Sequence, residues 1–452
     1  MFALYDTLTR KVRPLAMREP GKLGMYLCGP TVYGPPHLGH GRATLVYDVL
    51  RQYLEWRGIE VRLVSNITDI DDKIIDRAKR EQRPWQDITH KCESVWFDAM
   101  GRLGVKRPTD IPRATDYVEQ MVHMIGTLVE RSAAYTTSDG VYLEVQKVAG
   151  YGALAHQSLD DMLAGGGDRE VLGAQEKRHS ADFALWKFSK PDEPSWPSPW
   201  GDGRPGWHSE CVVMSLELLG EGFDLHCGGA DLRFPHHENE RAQAVALGKQ
   251  FANHWMHNGF VVDPEGEKMS KSIGNVANLL DLLDNYDPRA YRMLLLQTHY
   301  RSPVKVGQDN IDASVQALAG LDSFAARSAG HTAAADADTL ARFVQIMDND
   351  LDTPNAMAHI FDTVRRANTA IDAKEAAAGA LTAAVHEMCG ALGLQLGSTG
   401  EVADDAQALA VALDAARGAK DFAKADALRA ELQSLGYVVE TTKAGTALRR
   451  ST

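Results

Sequence analysis

The sequence predicts an α/β protein in which a parallel sheet carries an insertion and is followed by an α-helical bundle and a small mixed α/β unit at the C-terminus. Three observations support this prediction. Residues 23–67 show strand, helix and strand patterns in turn, as in a βαβ unit. Residues 186–207 concentrate four of the eight Trp and five Pro, which indicates an interruption. Residues 331–380 contain 14 Ala, which favours helix.

The first elements in chain order form one strand–helix–strand unit. Residues 23–29 (LGMYLCG) are predicted to be a short strand, and a Gly/Pro-rich turn follows up to Pro36. Residues 41–57 carry apolar side chains at helical spacing until Gly58 ends the pattern. Residues 59–67 (IEVRLVSNI) alternate like a second strand. A helix between two strands predicts that the strands pair in parallel.

The middle of the chain is predicted to interrupt and then complete this sheet. Residues 72–132 are predicted to be helical, with a break between Gly104 and Pro112. Residues 133–207 are interpreted as an insertion with an ordered Pro/Trp-rich loop. Residues 208–262 return to α/β patterning, so we expect two halves of one sheet on either side of the insertion.

The last third of the chain is predicted to be mainly helical. The pattern is helical from residue 288, and a Gly-bearing linker lies near 397–404. Residues 405–452 are predicted to form one or two helices and a short strand at Tyr437–Glu440. At about 150 residues per domain, a chain of 452 residues predicts about three domains.

Composition and charge exclude several classes of protein. Hydrophobic residues make up 44% and charged residues 24%, which argues against a disordered chain or a fibre. No apolar run approaches about 18 residues, so we expect no transmembrane helix, and the start (MFALYD) lacks the pattern of a secretory signal. Five Cys predict reduced thiols and a cytoplasmic location. The net charge of −13 means that a nucleic-acid partner needs a local basic patch.

The segment His37-Leu-Gly-His40 lies between the first strand and the first helix, at the edge where open α/β sheets bind ligands. Two imidazoles three residues apart can both face an anion at a helix N-terminus. Gly39 has no side chain, so a nucleotide base or ribose can approach the backbone. Taken alone, the motif is better explained as helix-capping histidines.

A second motif is formed by Lys268, Met269, Ser270, Lys271 and Ser272. Two ammonium groups on a polar, Gly-flanked loop suit a polyphosphate whose charge grows in a transition state. Taken alone, this segment is better explained as a solvated basic loop. The two motifs together, on either side of an α/β core, are much more specific.

A third feature is a set of possible metal ligands. Two thiolates, an imidazole and a carboxylate would be a sensible zinc set. Because Cys28 ends the strand that leads to His37, such a metal would border the nucleotide site. Spacing does not choose between the two adjacent histidines or between the two later thiols, and buried core thiols with an acidic helix start are the alternative. The candidates are Cys28, Cys211, Cys227, His236, His237, Glu238 and Glu240.

The two motifs together resemble those of class I aminoacyl-tRNA synthetases, in which they hold ATP and stabilise attack on its α-phosphate. Within that class, further segments resemble the cysteinyl-tRNA synthetase family, and they run from one end of the chain to the other. These segments are Met25–Tyr33 (MYLCGPTVY), Asn66–Lys73 (NITDIDDK), Gly203–His208 (GRPGWH) with Glu210-Cys211, Asp231 with Phe234–Glu240 (FPHHENE), His299–Pro303 (HYRSP), Lys420–Asp426 (KDFAKAD) and Gly445-Thr446.

The resemblance implies a role for each matching residue. It implies one zinc ion per chain, and ATP with Mg²⁺ as the nucleotide substrate. It implies L-cysteine and tRNA(Cys) as the other substrates; we expect no membrane partner and a monomer. By residue, it implies zinc ligands Cys28, Cys211, His236 and Glu240, amino-acid contacts Thr68, Trp207 and Asp231, and ATP contacts His37, Gly39, His40, Lys268, Met269, Ser270, Lys271 and Ser272, with His37, His40, Lys268 and Lys271 as the catalytic groups.

The resemblance also implies an order of domains around a class I synthetase Rossmann-like sheet. The halves of this catalytic domain are expected at 1–132 and 208–262, the insertion (connective peptide) at 133–207, a signature-loop and stem-contact region at 263–315, a helical tRNA-binding bundle at 316–396, and an anticodon-binding unit at 405–452.

The sequence departs from the family pattern at several positions. Leu38 replaces the usual Ile, and Gly34-Pro35-Pro36 replaces the residues usually found before it. Cys227 stands where the family usually has Gly, so we expect an extra thiol near the zinc. The tail reads Ala447-Leu-Arg-Arg450, without the expected Trp.

Substrate chemistry supports the zinc interpretation. Cysteine and serine differ by sulfur against oxygen, so shape discriminates poorly between them, whereas a soft metal centre favours the thiolate. We therefore expect no editing step and no editing domain. The cysteine carboxylate is expected to attack the α-phosphate of ATP, and the adenylate then to acylate a terminal ribose hydroxyl of tRNA, without a covalent enzyme intermediate.

Three other functions fit parts of the sequence. A paralogous ATP-dependent cysteine:amino-sugar ligase typically lacks the C-terminal unit that residues 405–452 supply here. A non-catalytic tRNA-binding regulator leaves the intact signature motifs unexplained, and a related nucleotidyltransferase leaves the thiol-rich set unexplained. Local cations for tRNA are Lys420, Lys424, Arg429, Lys443, Arg449 and Arg450, which are also consistent with solvated helix faces.

Overall fold

The computed structural model describes residues 2–159, 176–267, 278–397, 404–419, 421–435, 437–442 and 445–450. The strands are β1 (Ala3–Asp6), β2 (Lys11–Pro14), β3 (Lys22–Leu27), β4 (Glu60–Ser65), β5 (Ala134–Thr136), β6 (Gly140–Leu143), β7 (Phe183–Phe188), β8 (Gly203–Pro205), β9 (Leu225–Gly229), β10 (His254–Asn258), β11 (Val261–Val262), β12 (Val304–Lys305), β13 (Tyr437–Thr442) and β14 (Gly445–Arg450). The helices are α1 (Leu38–Trp56), α2 (Asp72–Glu81), α3 (Trp85–Arg102), α4 (Val118–Glu130), α5 (Trp207–Leu219), α6 (Glu238–Ala246), α7 (Leu279–Asn285), α8 (Pro288–Leu296), α9 (Gln308–Ser328), α10 (Ala337–Met347), α11 (Thr353–Ala373), α12 (Ala377–Ala391), α13 (Asp404–Gly418) and α14 (Phe422–Ser434). Within these residues, no helix has both the length and the hydropathy to cross a membrane.

A parallel sheet in the order β10-β9-β3-β4 organises the first part of the chain. The predicted strands at 23–29 and 59–67 are β3 and β4, and they pair in parallel as expected. β9 pairs directly with β3, although the insertion separates them along the chain. The carboxyl ends of all four strands meet at one edge of the sheet, where α/β sheets of this kind bind ligands. The predicted fold class is confirmed.

Helix α1 connects this edge to the core. Its apolar face, which includes Leu50 and Tyr53, is buried against the sheet. The buried Tyr47 hydroxyl lies 2.6 Å from the carbonyl oxygen of Gly228 and accepts the Gly228 N–H at 3.1 Å. The Arg42 guanidinium, 1% exposed, donates to the carbonyls of Phe260, Tyr300 and Ser302. These bonds fix the start of α1 against the carboxyl ends of β9 and β10, because buried polar groups of this kind hold their partners in place.

The insertion contains an antiparallel sheet in the order β5-β6-β7-β8. The sequence predicts an ordered loop at its end but not these strands, because they are only 3 to 6 residues long and β7 lacks clean alternation of buried and exposed side chains. Trp186 is fully buried and its indole N–H donates to the carbonyl of Gly201 at 3.2 Å. Gly206 continues from β8, and its N–H bonds to Leu185 at 2.7 Å. The sheet thereby fixes the start of α5.

The helices α9 to α12 form the helical bundle predicted from the Ala-rich segment, and their core is continuous with that of the parallel sheet. The Asp350 carboxylate, in a residue only 4% exposed, joins the two regions. It accepts bonds from the Tyr5 main-chain N–H at 2.8 Å, the Tyr300 hydroxyl at 2.7 Å and the Arg301 guanidinium at 2.8 Å. One acidic side chain, between α10 and α11 of the bundle, therefore links the bundle to β1 and to the segment before β12.

The C-terminal unit has two helices and a hairpin. β13 pairs antiparallel with β14, from Tyr437 opposite Arg450 to Thr442 opposite Gly445. The sequence predicts one strand here, at 437–440, and misses its partner. The Thr446 hydroxyl donates to the Asp414 carboxylate at 2.6 Å, which connects the hairpin to α13.

Candidate active site and metal centre

A cavity of about 490 Å³ opens at the carboxyl edge of the parallel sheet, beside the start of α1. Six of the residues predicted to form the site line it. They are Cys28, His37, Gly39, His40, Trp207 and Asp231. The cavity is the size of a small-molecule site, and its wall comes from both halves of the sheet.

The histidine motif forms the N-terminal cap of α1. His37 is the N-cap residue, and Nδ1 of its ring accepts the main-chain N–H of His40 at 3.3 Å. Nδ1 of His40 accepts the main-chain N–H of His37 at the same distance, and the two rings stack with centroids 3.6 Å apart. Because both Nδ1 atoms accept, the ring protons are assigned to Nε2. The histidines therefore cap the helix and also line the cavity, so the two interpretations of the motif are compatible.

Four donors predicted as metal ligands converge at Cys28, the one of the four that lines the cavity. The sulfur atoms of Cys28 and Cys211 lie 3.7 Å apart, and Sγ of Cys28 lies 3.5 Å from Oε1 of Glu240. Nε2 of His236 lies 2.7 Å from the same oxygen. All four donor atoms lie within 4.8 Å of one another, and three of the four residues are buried. Donors around tetrahedral zinc stand roughly 3.3–3.8 Å apart, given bonds of about 2.0–2.3 Å, so this set fits one ion after a small widening of the His236–Glu240 contact.

The fold explains why these four residues meet. Cys28 follows β3. Cys211 lies in the first turns of α5, which packs on the face of the sheet that Tyr26 of β3 occupies. His236 and Glu240 are four residues apart across the start of α6 and so point the same way. Asn66, 1% exposed, braces the set: its Oδ1 accepts the Gly29 N–H at 2.9 Å and lies 3.7 Å from Sγ of Cys211.

Electrostatics favour a charged cluster in the absence of a metal. Burial opposes charge on Cys211, but contacts with Cys28 and His236 lower the pKa of the Cys211 thiol to about 6. Burial raises the pKa of the Cys28 thiol well above its ordinary value. Burial also opposes charge on Glu240, yet His236, with its neighbours His226 and His237, holds the Glu240 pKa well below its ordinary value. A cation would find the anionic forms of Cys211 and Glu240 already favoured, and it would displace the proton of Cys28 on binding.

A layer of four further histidines surrounds the set, and the sequence analysis did not identify three of them. His208 contacts His236, Nδ1 to Nδ1, at 2.9 Å. Nε2 of His226 lies 2.5 Å from Oε2 of Glu240. His237 contacts His257 at 2.9 Å. The available signals were weak: His208 precedes Cys211 by one helical turn, His226 lies on β9, which pairs with the strand that ends near Cys28, and His257 lies on β10, the next strand along.

The structure separates the alternatives that spacing left open. His236 groups with Cys211, whereas His237 belongs to a second group with His226. The expectation that Cys227 adds a thiol near the metal is wrong. Side chains alternate along β9, so His226 faces Glu240 while Cys227 is buried on the opposite face among Met25 and Tyr47. Cys227 belongs to neither group of possible ligands in the described residues.

The three residues predicted to contact the amino acid occupy different positions. The Trp207 ring lines the cavity and stacks on the His236 ring, with centroids 4.0 Å apart. Asp231 lines the cavity beyond Gly229. Thr68 is not among the lining residues: it is 1% exposed, its N–H bonds to Pro30, and its hydroxyl donates to Glu210 at 2.6 Å. Thr68 supports the Cys28–Pro30 turn from behind.

The second motif, Lys268, Met269, Ser270, Lys271 and Ser272, lies outside the described residues, as do Lys420 and Lys443. The described chain approaches the motif from both sides. Asp263 and Glu267 precede it, with the Glu267 N–H bonded to Asp263 at 2.7 Å. Asn278 follows it and forms an isolated bridge with His37. The described chain therefore resumes, after the motif, beside the first histidine.

Comparison with protein families gives two matches. Residues 14–316 match the family model of the tRNA synthetases class I (C) catalytic domain, and residues 342–397 match the DALR domain. Among relatives of known name, the cysteine–tRNA ligase of Pseudomonas fluorescens is 42% identical, over 99% of both chains. The cysteine–tRNA ligase of Streptomyces coelicolor is 41% identical, over 98% of this chain and 74% of its own length.

Solved structures share the fold at lower identity. A Mycobacterium tuberculosis methionyl-tRNA synthetase in complex with methionyl-adenylate aligns with a TM-score of 0.60 at 15% identity, covering 82% of this chain and 89% of that one. An Agrobacterium radiobacter LeuRS–tRNA–LeuAMS ternary complex aligns with a TM-score of 0.63 at 11% identity, covering 83% and 85%. At these identities the likeness concerns the fold alone.

Proposed function

The chain belongs to the cysteine–tRNA ligases, a family of class I aminoacyl-tRNA synthetases, and from that premise we propose that Cys28, Cys211, His236 and Glu240 hold the zinc ion that selects the substrate thiol. As a member of this family, the protein is an enzyme that joins cysteine to tRNA with ATP. The observation that supports the proposal most directly is the convergence of two thiols, an imidazole and a carboxylate within 4.8 Å of one another, with Cys28 lining the cavity.

The donor set fits zinc better than it fits magnesium or calcium. Those ions prefer oxygen donors, whereas two sulfurs and one nitrogen suit zinc. When bound, zinc would ligate the cysteine sulfur as thiolate and so favour it over the serine hydroxyl. The His208 and Asn66 contacts orient the ligands, as outer contacts do in metal sites.

The other cavity residues divide the remaining tasks. We assign recognition of the cysteine backbone to Trp207 and Asp231, with Thr68 holding the Cys28–Pro30 turn. His37, Gly39 and His40 bind ATP, together with Met269, Ser270 and Ser272 and the ammonium groups of Lys268 and Lys271. A side chain at position 39 would crowd this wall, because a Cβ there would lie 3.1 Å from the His37 ring.

Activation follows from this arrangement. The cysteine carboxylate attacks the α-phosphorus of ATP, the bond to the bridging oxygen breaks, and pyrophosphate leaves as cysteinyl-adenylate forms. The Nε2–H groups of the two histidines and the two lysine ammonium groups share the charge that develops on the phosphates, with Mg²⁺ accompanying ATP. The adenylate then acylates a terminal ribose hydroxyl at the 3′ end of tRNA(Cys).

The rest of the chain presents tRNA to this site. We propose that the bundle at 316–396 and the unit at 405–452 bind tRNA(Cys), the latter at the anticodon. We further propose that the enzyme acts as a cytoplasmic monomer; the five free thiols are consistent with a reducing compartment.

Metal analysis, an exchange assay and a tRNA-charging assay test the proposal in sequence. Purified protein is expected to hold one zinc per chain by metal analysis and to catalyse cysteine-dependent ATP–pyrophosphate exchange, with serine at least about 10⁴-fold poorer. It should then transfer labelled cysteine to tRNA(Cys). Exchange without tRNA charging, but with amino-sugar acceptors, would indicate the paralogous ligase. Absence of exchange would indicate a non-catalytic protein, and activity without metal would remove the zinc assignment.

A further inference from the structure

A second group of donor atoms with metal-ligand geometry is formed by Cys28, His226, His237 and Glu240, of which Cys28 lines the cavity. It shares Cys28 and Glu240 with the outer set, defined as Cys28, Cys211, His236 and Glu240. We refer to the second group as the inner set. The inference below rests on the proposed function, because it concerns where this chain's residues can hold the same ion.

We propose that the inner set is an alternative position for the metal ion, one that retains the ion when a ligand particular to the outer set is lost. The shared thiol and carboxylate stand between the two positions, so a single ion can pass from one to the other without leaving both shared ligands.

The distances within the inner set are those of a coordination polyhedron. Sγ of Cys28 lies 3.2 Å from Nε2 of His237 and 3.9 Å from Nε2 of His226. It lies 3.5 Å from Oε1 of Glu240, and Nε2 of His226 lies 2.5 Å from Oε2 of the same carboxylate. These separations match tetrahedral zinc about as well as those of the outer set, with the histidine–glutamate contact again the one that must widen.

The surroundings of His237 prepare it as a ligand. Nδ1 of His237 lies 2.9 Å from Nε2 of His257, and Nδ1 of His257 lies 2.8 Å from the Thr7 hydroxyl. If the His237 ring carries its proton on Nδ1, it can donate that N–H to Nε2 of His257. The lone pair on Nε2 of His237 then points toward Sγ of Cys28. Metal-ligating histidines are commonly oriented by such a second hydrogen bond. A Cβ on Gly228 would lie 2.7 Å from the His237 ring, so the glycine also makes room for this position.

The outer set is the stronger of the two and holds the ion at rest. It offers two thiolates, one imidazole and one carboxylate, against one thiolate, two imidazoles and one carboxylate in the inner set. Zinc favours the set with more thiolate. A metal-bound His226 would also keep its proton on Nδ1, which has no hydrogen-bond partner among the described residues, and this adds a cost. Losing Cys211 or His236 removes the advantage of the outer position and leaves the inner set intact.

Cobalt(II) substitution of the full chain distinguishes the two positions, because thiolate-to-cobalt absorption reports how many sulfurs bind the ion. The wild type is expected to bind one Co²⁺ per chain with two thiolates. Cys211→Ala is expected to keep one Co²⁺ with a charge-transfer intensity of about half, since one thiolate remains. Cys211→Ala combined with His237→Gln should lose the metal on dialysis. Cys227→Ala is the matched control, because it removes a buried thiol on β9 that faces away, and it should retain the two-thiolate spectrum.

The outcomes separate this inference from the proposed function. A wild type without metal, or without two thiolates, overturns both. A two-thiolate wild type whose folded Cys211→Ala variant binds no cobalt overturns the inner set alone, as does a double variant that still holds cobalt. If Cys211→Ala does not fold, His236→Ala replaces it. This variant should keep one ion and fall to one thiolate, and a retained two-thiolate spectrum would show that the inner position is not used.

Discussion

The sulfur atoms of Cys28 and Cys211 lie 3.7 Å apart, although 183 positions separate them in the chain. One thiol follows the strand that leads into the histidine motif, and the other lies on the helix that follows the insertion. The parallel pairing of β3 with β9 brings the two halves of the catalytic sheet together, and with them both thiols. Cys28, proposed to hold the ion that selects the thiol, and the histidine motif, proposed to bind ATP, therefore line the same cavity.

Cys28→Ser tests whether Cys28 is a ligand of the metal ion. A hydroxyl is a poor zinc ligand, so this variant is expected to lose bound zinc and to raise the KM for cysteine by on the order of tenfold or more, with a much smaller change in the KM for ATP. Metal analysis and ATP–pyrophosphate exchange measure both quantities. The control is Cys227→Ala, whose buried thiol lies on the other face of the sheet. Unchanged zinc content and cysteine KM in Cys28→Ser would remove this residue from the metal site.

His37→Asn separates helix capping from catalysis. Asparagine is a good N-cap residue, so α1 should stay capped and the thermal midpoint should change little. The variant lacks the imidazole that we propose donates to the phosphates, and kcat for exchange is therefore expected to fall about 10²- to 10³-fold. An ATP–pyrophosphate exchange assay measures kcat, and a thermal melting curve on the same preparation measures the midpoint. A variant with wild-type kcat would leave His37 only its capping role.

His254 makes the stability of the protein depend on pH. It is buried beside Asp6 and Arg13, and burial lowers its pKa from 6.5 to about 4, against the opposing effect of Asp6. Between these values the unfolded chain binds a proton that the folded chain does not. Its contribution is therefore complete above pH 6.5 and is lost as the pH falls towards 4, by about 3 kcal/mol in all.

His254→Gln removes this titration while keeping a polar side chain. Denaturant unfolding at pH 7 and pH 4.5 should show a smaller loss of unfolding free energy in the variant than in the wild type. The other 15 of the 16 histidines are common to both proteins and cancel in the comparison. Equal losses in the two proteins would contradict the prediction.

Asp350→Ala tests the link between the catalytic region and the bundle. The change leaves the Tyr5 N–H, the Tyr300 hydroxyl and the Arg301 guanidinium without their shared acceptor, and it is expected to cost about 3 kcal/mol of unfolding free energy. Asp372→Ala is the control, because it breaks an exposed pair with Arg327 and should cost less than about 1 kcal/mol. Chemical denaturation measures both variants, and equal costs would show that Asp350 is not a junction.

Some parts of the site could be predicted from the sequence and others could not. Local periodicity in the sequence predicts the βαβ unit. The family resemblance selects the four residues Cys28, Cys211, His236 and Glu240, and the structure brings them together. The histidine layer could not be predicted, because His208, His226 and His257 come from three separate elements and only the sheet order makes them neighbours. Cys227 illustrates the same limit: it is adjacent to His226 in sequence, and strand alternation puts it on the opposite face.

The supporting residues were the hardest to predict. Asn66 and Thr68 look like ordinary strand-end residues, yet both are 1% exposed and brace the segment after Cys28. Asp350 has the left-handed φ of 60°, which a sequence pattern does not reveal for a non-glycine residue. Their supporting role depends on hydrogen bonds between residues that are 37 to 345 positions apart in the chain.

The four donors of the outer set come from positions 28, 211, 236 and 240, so they straddle the whole insertion. During synthesis the first thiol leaves the ribosome long before its companions. A growing chain has no complete donor set until residue 240 has emerged and β9 has docked beside β3. Under the proposed assignment, capture of the ion waits until 240 of the 452 residues have been made, and a chain that ends before Glu240 lacks one of the four donors.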